Sequence, residues 1–252
     1  MYPESARAMA QAHADWPGFT PPPWPNSALP ITLNDDDNRV FNPNYPANVI
    51  ARGGNDYVET SGQLIDGGDG DDTLMGATTI LGGSGNEVIS DGLVMSGGAG
   101  DDHISRPRGP STIDGGAGND TLIGGSQNDV IHGGAGDDSI DGGAGDDYLD
   151  GGPGADTNRG GAGNDTLVGL GDDRLFGGAG TDTFIIGVAG SVQIGDWEPG
   201  EVIDISAWGD VTPVYSQTGP ASVRIQDGGR AVFVTALSPI TVAQVQASVV
   251  QA

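Results

Sequence analysis

The sequence predicts an all-β solenoid of stacked parallel strands, and three observations predict it. The phrase GGxGxD occurs eight times without error, starting at Gly67, Gly97, Gly115, Gly133, Gly142, Gly151, Gly160 and Gly177. Two positions after its acidic residue comes an apolar one in all copies but one. The copies recur at nine residues or at 15–18, too short for a unit that folds alone and regular enough to stack.

Four approximations extend the series: residues 51–56 (ARGGND), 82–87 (GGSGNE), 124–129 (GGSQND) and 169–173 (GLGDD, one residue short). The apolar positions are Val58, Leu74, Ile89, Ile104, Leu122, Ile131, Ile140, Leu149, Leu167, Leu175 and Phe184, with Asn158 as the exception. One apolar residue between polar neighbours is a very short, half-buried strand. The glycines supply a turn that other residues enter poorly. Such a unit buries nothing alone, whereas stacked copies align their apolar residues into one core.

The loop spacing predicts two unequal edges. Taking one coil as two strands and two turns, about 18 residues, one edge holds a long column of loops starting at 51, 67, 82, 97, 115, 133, 151 and 169. The opposite edge holds a short column starting at 124, 142, 160 and 177, and a plain connection replaces it earlier. Val40 lies 18 residues before Val58, so residues 33–50 read as a first, degenerate coil. Eight or nine coils at the ~4.8 Å strand spacing give a rod of roughly 40 Å with both sheets parallel.

Composition narrows the partners. The 252 residues include 46 glycines, and 35 acidic residues against 9 basic ones give a net charge of -26. Such a chain repels nucleic acid and anionic membranes and attracts cations. It has no cysteine, hence no disulfide or thiolate metal site. No apolar run approaches a membrane span. The start MYPESARAMAQAHADW lacks the basic and apolar regions of a secretory signal, so export, if it occurs, is expected by another route.

Turn and core account for glycine and the apolar position, but not for aspartate. Carboxylates stacked along an edge repel one another without a counter-charge. A hard divalent cation resolves this, and calcium accepts six to eight carboxylate and carbonyl oxygens in tolerant geometry. Zinc and copper are disfavoured by the absence of cysteine and by only three scattered histidines, and magnesium by its stricter geometry.

The expected ligands follow loop position. Position one offers the carbonyls of Gly67, Gly82, Gly97, Gly115, Gly124, Gly133, Gly142, Gly151 and Gly160. Position three offers those of Asp69, Ser84, Ala99, Ala117, Ser126, Ala135, Ala144, Pro153 and Ala162, where a carbonyl is needed and an N–H is not. Position five offers those of Asp71, Asn86, Asp101, Asn119, Asn128, Asp137, Asp146, Ala155 and Asn164. The sixth-position carboxylates are Asp56, Asp72, Glu87, Asp102, Asp120, Asp129, Asp138, Asp147, Asp156, Asp165, Asp173 and Asp182.

The pattern GGxGxDxUx, with U apolar, resembles the RTX (hemolysin-type) calcium-binding nonapeptide across residues 51–185. The resemblance implies a right-handed parallel β-roll with calcium between neighbouring edge loops, and type I export through an uncleaved C-terminal signal. Seven gaps in the long column and three in the short would hold up to about ten ions, whose charge nearly balances the -26 of the chain. Glu87, Gln127 and the shortened loop at Gly169 depart from the pattern and put their own gaps in question.

The chain divides into a proline-rich tail or cap (residues 1–30), the roll (31–185), and capping strands with the export signal (186–252). In the first part Trp16, Phe19 and Trp24 read as part of a cap or tail, the alternative being a partner-binding strip. Residues 181–208 resemble the segment that follows such rolls in serralysin-type exported proteins. Val202, Ile203 and Ile205 read as strand, residues 221–234 as a hairpin turning at Asp227, and residues 240–252 as a strand or helix.

HExxH and GxSxG are both absent, and His13, His103 and His132 share no metal-ligand spacing. The leading function is therefore a secreted, non-enzymatic, calcium-folded module working through the type I machinery. A calcium-dependent polysaccharide-binding or adhesive module is the alternative, and an extracellular polysaccharide-acting enzyme stands behind both.

Overall fold

The computed structural model describes residues 30–42, 48–209, 213–227, 230–236 and 241–251. Residues 1–29, with Trp16, Phe19 and Trp24, and the hairpin turn at 228–229 lie outside them.

The chain winds as an all-β parallel solenoid of about nine turns. Each turn places one strand in each of two facing sheets. Val94–Ala99, Thr112–Ala117 and Val130–Ala135 are successive strands of the first sheet. His103–Ser105, Thr121–Ser126 and Ser139–Ala144 are successive strands of the second. Every such pair is parallel and one coil apart, so Ile113 lies between Met95 and Ile131, and Leu122 between Ile104 and Ile140.

These apolar residues form the core. Val58, Leu74, Ile89, Ile104, Leu122, Ile140 and Leu175 from the second sheet meet Ile65, Ile80, Ile113, Ile131, Leu149 and Leu167 from the first, and all are fully buried. Each such side chain contributes about 1.5–3 kcal/mol relative to exposure. Asn158 takes the same inward position, fully buried. Its Nδ2 donates to the Val168 carbonyl (3.3 Å), while its Oδ1 has no partner.

Register produces the two unequal edges that the spacing predicts. Gly98, Gly116 and Gly134 are partners along one edge, and Gly125, Gly143, Gly161 and Gly178 along the other. Before residue 111 the second edge is crossed by the short connections 76–78 and 91–93. Val40 pairs with Val58, so the strand Arg39–Asn42 begins the second sheet.

After the last loop, the 12-residue strand Thr183–Ile194 starts beside Leu167 in the first sheet and ends beside Leu175 in the second. Val202–Asp204 adds to the first sheet. Arg230–Thr235 adds to the second and pairs antiparallel with Ser222–Asp227, which pairs with Val214–Gly219. The final segment resolves the strand-or-helix alternative as both. A helix, Val242–Ser248, is closed by a Thr241–Gln244 capping box, and Val249–Val250 then pairs with Ile203–Asp204. Trp197, Ile205 and Val245, all fully buried, join the core at this end. No described helix is long and apolar enough to cross a membrane.

Candidate metal-binding edges

The sixth-position carboxylates are neither solvated nor fully paired. All from Asp56 to Asp182 are buried, with 3 % exposure or less. In all but Glu87, one oxygen serves the stack. The backbone N–H of Asp120 donates to Asp138 Oδ1, that of Asp138 to Asp156 Oδ1, and that of Asp129 to Asp147 Oδ1 (2.8 Å each). The ladder starts at Asn38, whose N–H donates to Asp56 Oδ1, and on the other edge at Ser111, whose N–H and hydroxyl both donate to Asp129 Oδ1.

The second oxygen is orphaned. Oδ2 of Asp56, Asp72, Asp102, Asp120, Asp129, Asp138, Asp147, Asp156, Asp165 and Asp182, and both oxygens of Glu87, are buried without a hydrogen-bond partner. Leaving such groups unmatched is costly, more so for charged ones.

The position-one glycine shows what lies beside that oxygen. A Cβ on Gly115 would fall on Asp120 Oδ2 and 2.5 Å from the Gly133 carbonyl oxygen. The same pairing of a loop's own carboxylate with the next loop's carbonyl recurs at Gly67, Gly82, Gly97, Gly124, Gly133, Gly142 and Gly160. These eight cradles, five on the long edge and three on the short, juxtapose oxygens of two loops where only glycine leaves room. Among the described residues no three His, Asp or Glu side chains form a metal cluster. A cation held here would therefore take most of its ligands from the main chain. That donor set, all hard oxygen with one orphaned carboxylate oxygen per loop, fits calcium.

Two predicted ligand positions acquire additional roles. Position-three carbonyls accept the N–H of the preceding coil's fourth residue, as Ala117 does from Gly100 (2.7 Å) and Pro153 from Gly136 (3.1 Å). Position-five side chains form a second ladder running the opposite way. Asp101 Oδ1 accepts from the Asn119 N–H (2.7 Å), and Asn119 Oδ1 from the Asp137 N–H (2.8 Å). Sequence reasoning assigned only the carbonyl there; the signal was the run of Asp and Asn at that position, which Ala155 breaks. Gln127, where other loops have glycine, adopts the left-handed conformation at φ 78°.

Three loops of the long edge lack the full cradle, and beside Gly151 the nearest atoms are all of its own Asp156. Ala51 carries a buried methyl where the others have glycine. In the shortened loop, Asp173 Oδ2 accepts the Leu170 N–H (2.7 Å), so its second oxygen is already used.

Carboxylates beyond the repeat close the short edge. Asp196 accepts the Gly177 and Gly178 N–H groups (3.0 and 3.1 Å). Glu201, buried, accepts the Glu198 N–H at 2.8 Å. Neither carries the loop phrase, so spacing alone did not single them out.

Electrostatics follow burial. Desolvation, opposed by the ladder hydrogen bonds and reinforced by neighbouring acids, raises Asp72, Asp120, Asp147 and Asp165 to about 6 and Asp156 to about 7. It pushes Glu87 to about 9 and Glu201, beside Asp182, to about 8.

A parallel β-solenoid with glycine-aspartate loops stacked on both edges defines a class of repeat protein. Residues 64–78, 108–131, 123–157 and 150–184 match the RTX calcium-binding nonapeptide repeat family, in four copies. The chain thus carries RTX calcium-binding repeats on a β-roll. Among solved structures, it is similar to the solution structure of the AlgE6R3 subunit from the Azotobacter vinelandii mannuronan C5-epimerase. The two are 25 % identical over 50 % of this chain and 78 % of that one, with a TM-score of 0.30. No curated protein matches the chain.

Proposed function

We propose that this protein is an exported, non-enzymatic module that folds when calcium enters its loop edges. The observation that carries the reading is the ladder of buried second oxygens, each but that of Asp56 beside its own loop's position-one glycine. In eight cradles the ligands would be that oxygen and the next loop's position-one carbonyl, with position-three and position-five carbonyls completing the shell. Eight ions are expected from this geometry, within the ten that loop counting allows. Where free calcium is low, repulsion between stacked carboxylates keeps the chain open. Outside the cell calcium neutralises them, and binding free energy becomes folding free energy. Residues 186–252 would cap the roll and carry the signal for type I export, and residues 1–30 would form a tail or cap.

Circular dichroism in chelator and in millimolar calcium tests this. A weak β signal that becomes strong with calcium is expected, together with a calorimetric stoichiometry near eight. A spectrum indifferent to calcium overturns the reading.

A further inference from the structure

We propose that the solvent face of the second sheet, towards its C-terminal end, binds a linear carboxylated polysaccharide. The inference rests on the calcium-folded roll and adds a ligand to it. The chain has 9 basic residues, all arginine, against 35 acidic ones, so where arginines gather is informative. The ion pairs among the described residues are His132–Asp150 and Arg230–Asp227. Seven described arginines are in neither, and three of them, Arg159, Arg174 and Arg224, lie towards the C-terminal end of the second sheet.

Register gathers these three arginines. Arg174 lies beside Gln193, Gln193 beside Phe233, and Phe233 beside Arg224, in one row across four strands. At ~4.8 Å per strand the row runs roughly 14 Å along the roll axis. Arg159, on the strand before Arg174, stacks 5.4 Å over the Phe176 ring, and Arg224 stacks 5.0 Å over Phe233. Stacking holds each guanidinium plane and leaves its N–H edge for an acceptor. Arg224 Nε is buried with no hydrogen-bond partner. A groove of about 390 Å³ adjoins the row, with Gln193, Thr218 and Ser222 offering amide and hydroxyl groups along it.

This chemistry suits a chain of acidic sugars. Guanidinium takes carboxylate bidentately, the phenyl rings take sugar C–H faces, and the amide and hydroxyls take ring hydroxyls. One strand step is close to the length of one pyranose. Duplex nucleic acid presents a charge every ~1.7 Å, too dense for three arginines in a chain of net charge -26. Calcium would be required, because open carboxylate edges repel a polyanion.

The test uses the full chain loaded with calcium, titrated with a hexameric oligogalacturonate and, as control, with neutral cellohexaose. Saturable binding of the uronate alone is expected, weakened at least about tenfold in the Arg174→Gln/Arg224→Gln double variant. Circular dichroism on the same samples checks that the variant still folds with calcium. Absence of binding, binding of both sugars alike, or binding that survives the substitutions (as a calcium-bridged complex would) overturns the proposal. So does sedimentation showing self-association that the same substitutions abolish, which assigns the face to a second copy. A chain that folds with calcium yet binds no uronate overturns this proposal alone; one indifferent to calcium overturns the calcium reading as well.

Discussion

Residues 51–111 and residues 112–182 share one core and differ at their edges. Ile80 and Ile89 in the first region, and Ile131 and Ile140 in the second, are equally and fully buried. The first region stacks carboxylate loops on one edge and crosses the other by short connections containing Gly76 and Gly92. The second stacks them on both, so each coil carries two buried carboxylates instead of one. Core and charge are therefore separable in this architecture. In the proposed reading, the aliphatic ladder makes the coils stack and the loops set the ionic conditions under which the stack survives.

The comparison breaks most visibly in chelator. Hydrogen exchange without calcium is expected to be near complete across residues 112–182, with residual protection in residues 51–111, where repulsion acts on one edge only. Equal protection in both regions contradicts a charge-controlled difference.

A smaller effect comes from filling one cradle. Gly142→Ala places a methyl on Asp147 Oδ2. Loss of one ion by calorimetry and a destabilisation of about 2 kcal/mol or more are expected. The same change at Gly92, in a plain connection, should crowd Met95 and leave the ion count unchanged. Asp147→Asn separates the two functions of the carboxylate. It keeps an acceptor for the Asp129 N–H while removing the charge. Calcium affinity should fall with folding in saturating calcium retained, whereas Asp147→Ala also strands a buried N–H, at about 1–3 kcal/mol.

Acidity gives a third comparison. Without calcium, Asp120, Asp147 and Asp165 at about 6 and Asp156 at about 7 lie above their ordinary 3.8, so the folded chain binds more protons than the unfolded one. The stability these groups contribute in chelator is thus complete below about pH 4 and is lost as pH rises through about 6 to 7. Calcium binding should run the other way and weaken below about pH 6, because protons compete for the same oxygens. Thermal melts across pH, with and without calcium, check both slopes. A chelated chain that is more stable at pH 8 than at pH 5 sinks the sign.

The smallest effect concerns the core. Asn158→Leu replaces a buried amide with an orphaned Oδ1 by the residue type of its neighbours Ile140 and Leu175. A gain of about 1 kcal/mol in calcium is expected, read as a higher melting temperature. An unchanged or lower one would show that the bond to the Val168 carbonyl holds the register beside the shortened loop.

Periodicity is a local property, and what depends on it was legible. The inward residue of each strand, the two loop columns and the first coil at Val40 follow from counting, because stacking at constant register converts sequence spacing into spatial neighbours. The position-six aspartates were legible as charge in need of a partner. Their division of labour was not, since which oxygen accepts an N–H and which remains free depends on the angle at which coils superpose. Ala155 read as an ordinary position-five carbonyl and residues 51–56 as an approximate copy, yet Ala155 breaks the position-five ladder and Ala51 fills a cradle. Asp196 and Glu201 follow no period, so only the path of residues 183–204 across the end of the roll brings them to Gly177 and Asp182.

By itself, then, the sequence determined the class of fold, the identity of the core ladder and the hard-oxygen chemistry of the edges, all of which repeat from coil to coil. Tertiary structure alone decided which oxygens are spoken for, which eight cradles are complete, and that Arg174, Gln193, Phe233 and Arg224 share one row. The physical reason is the same in each case. A repeat specifies contacts between equivalent positions, whereas contacts between non-equivalent positions exist only once the chain has closed on itself.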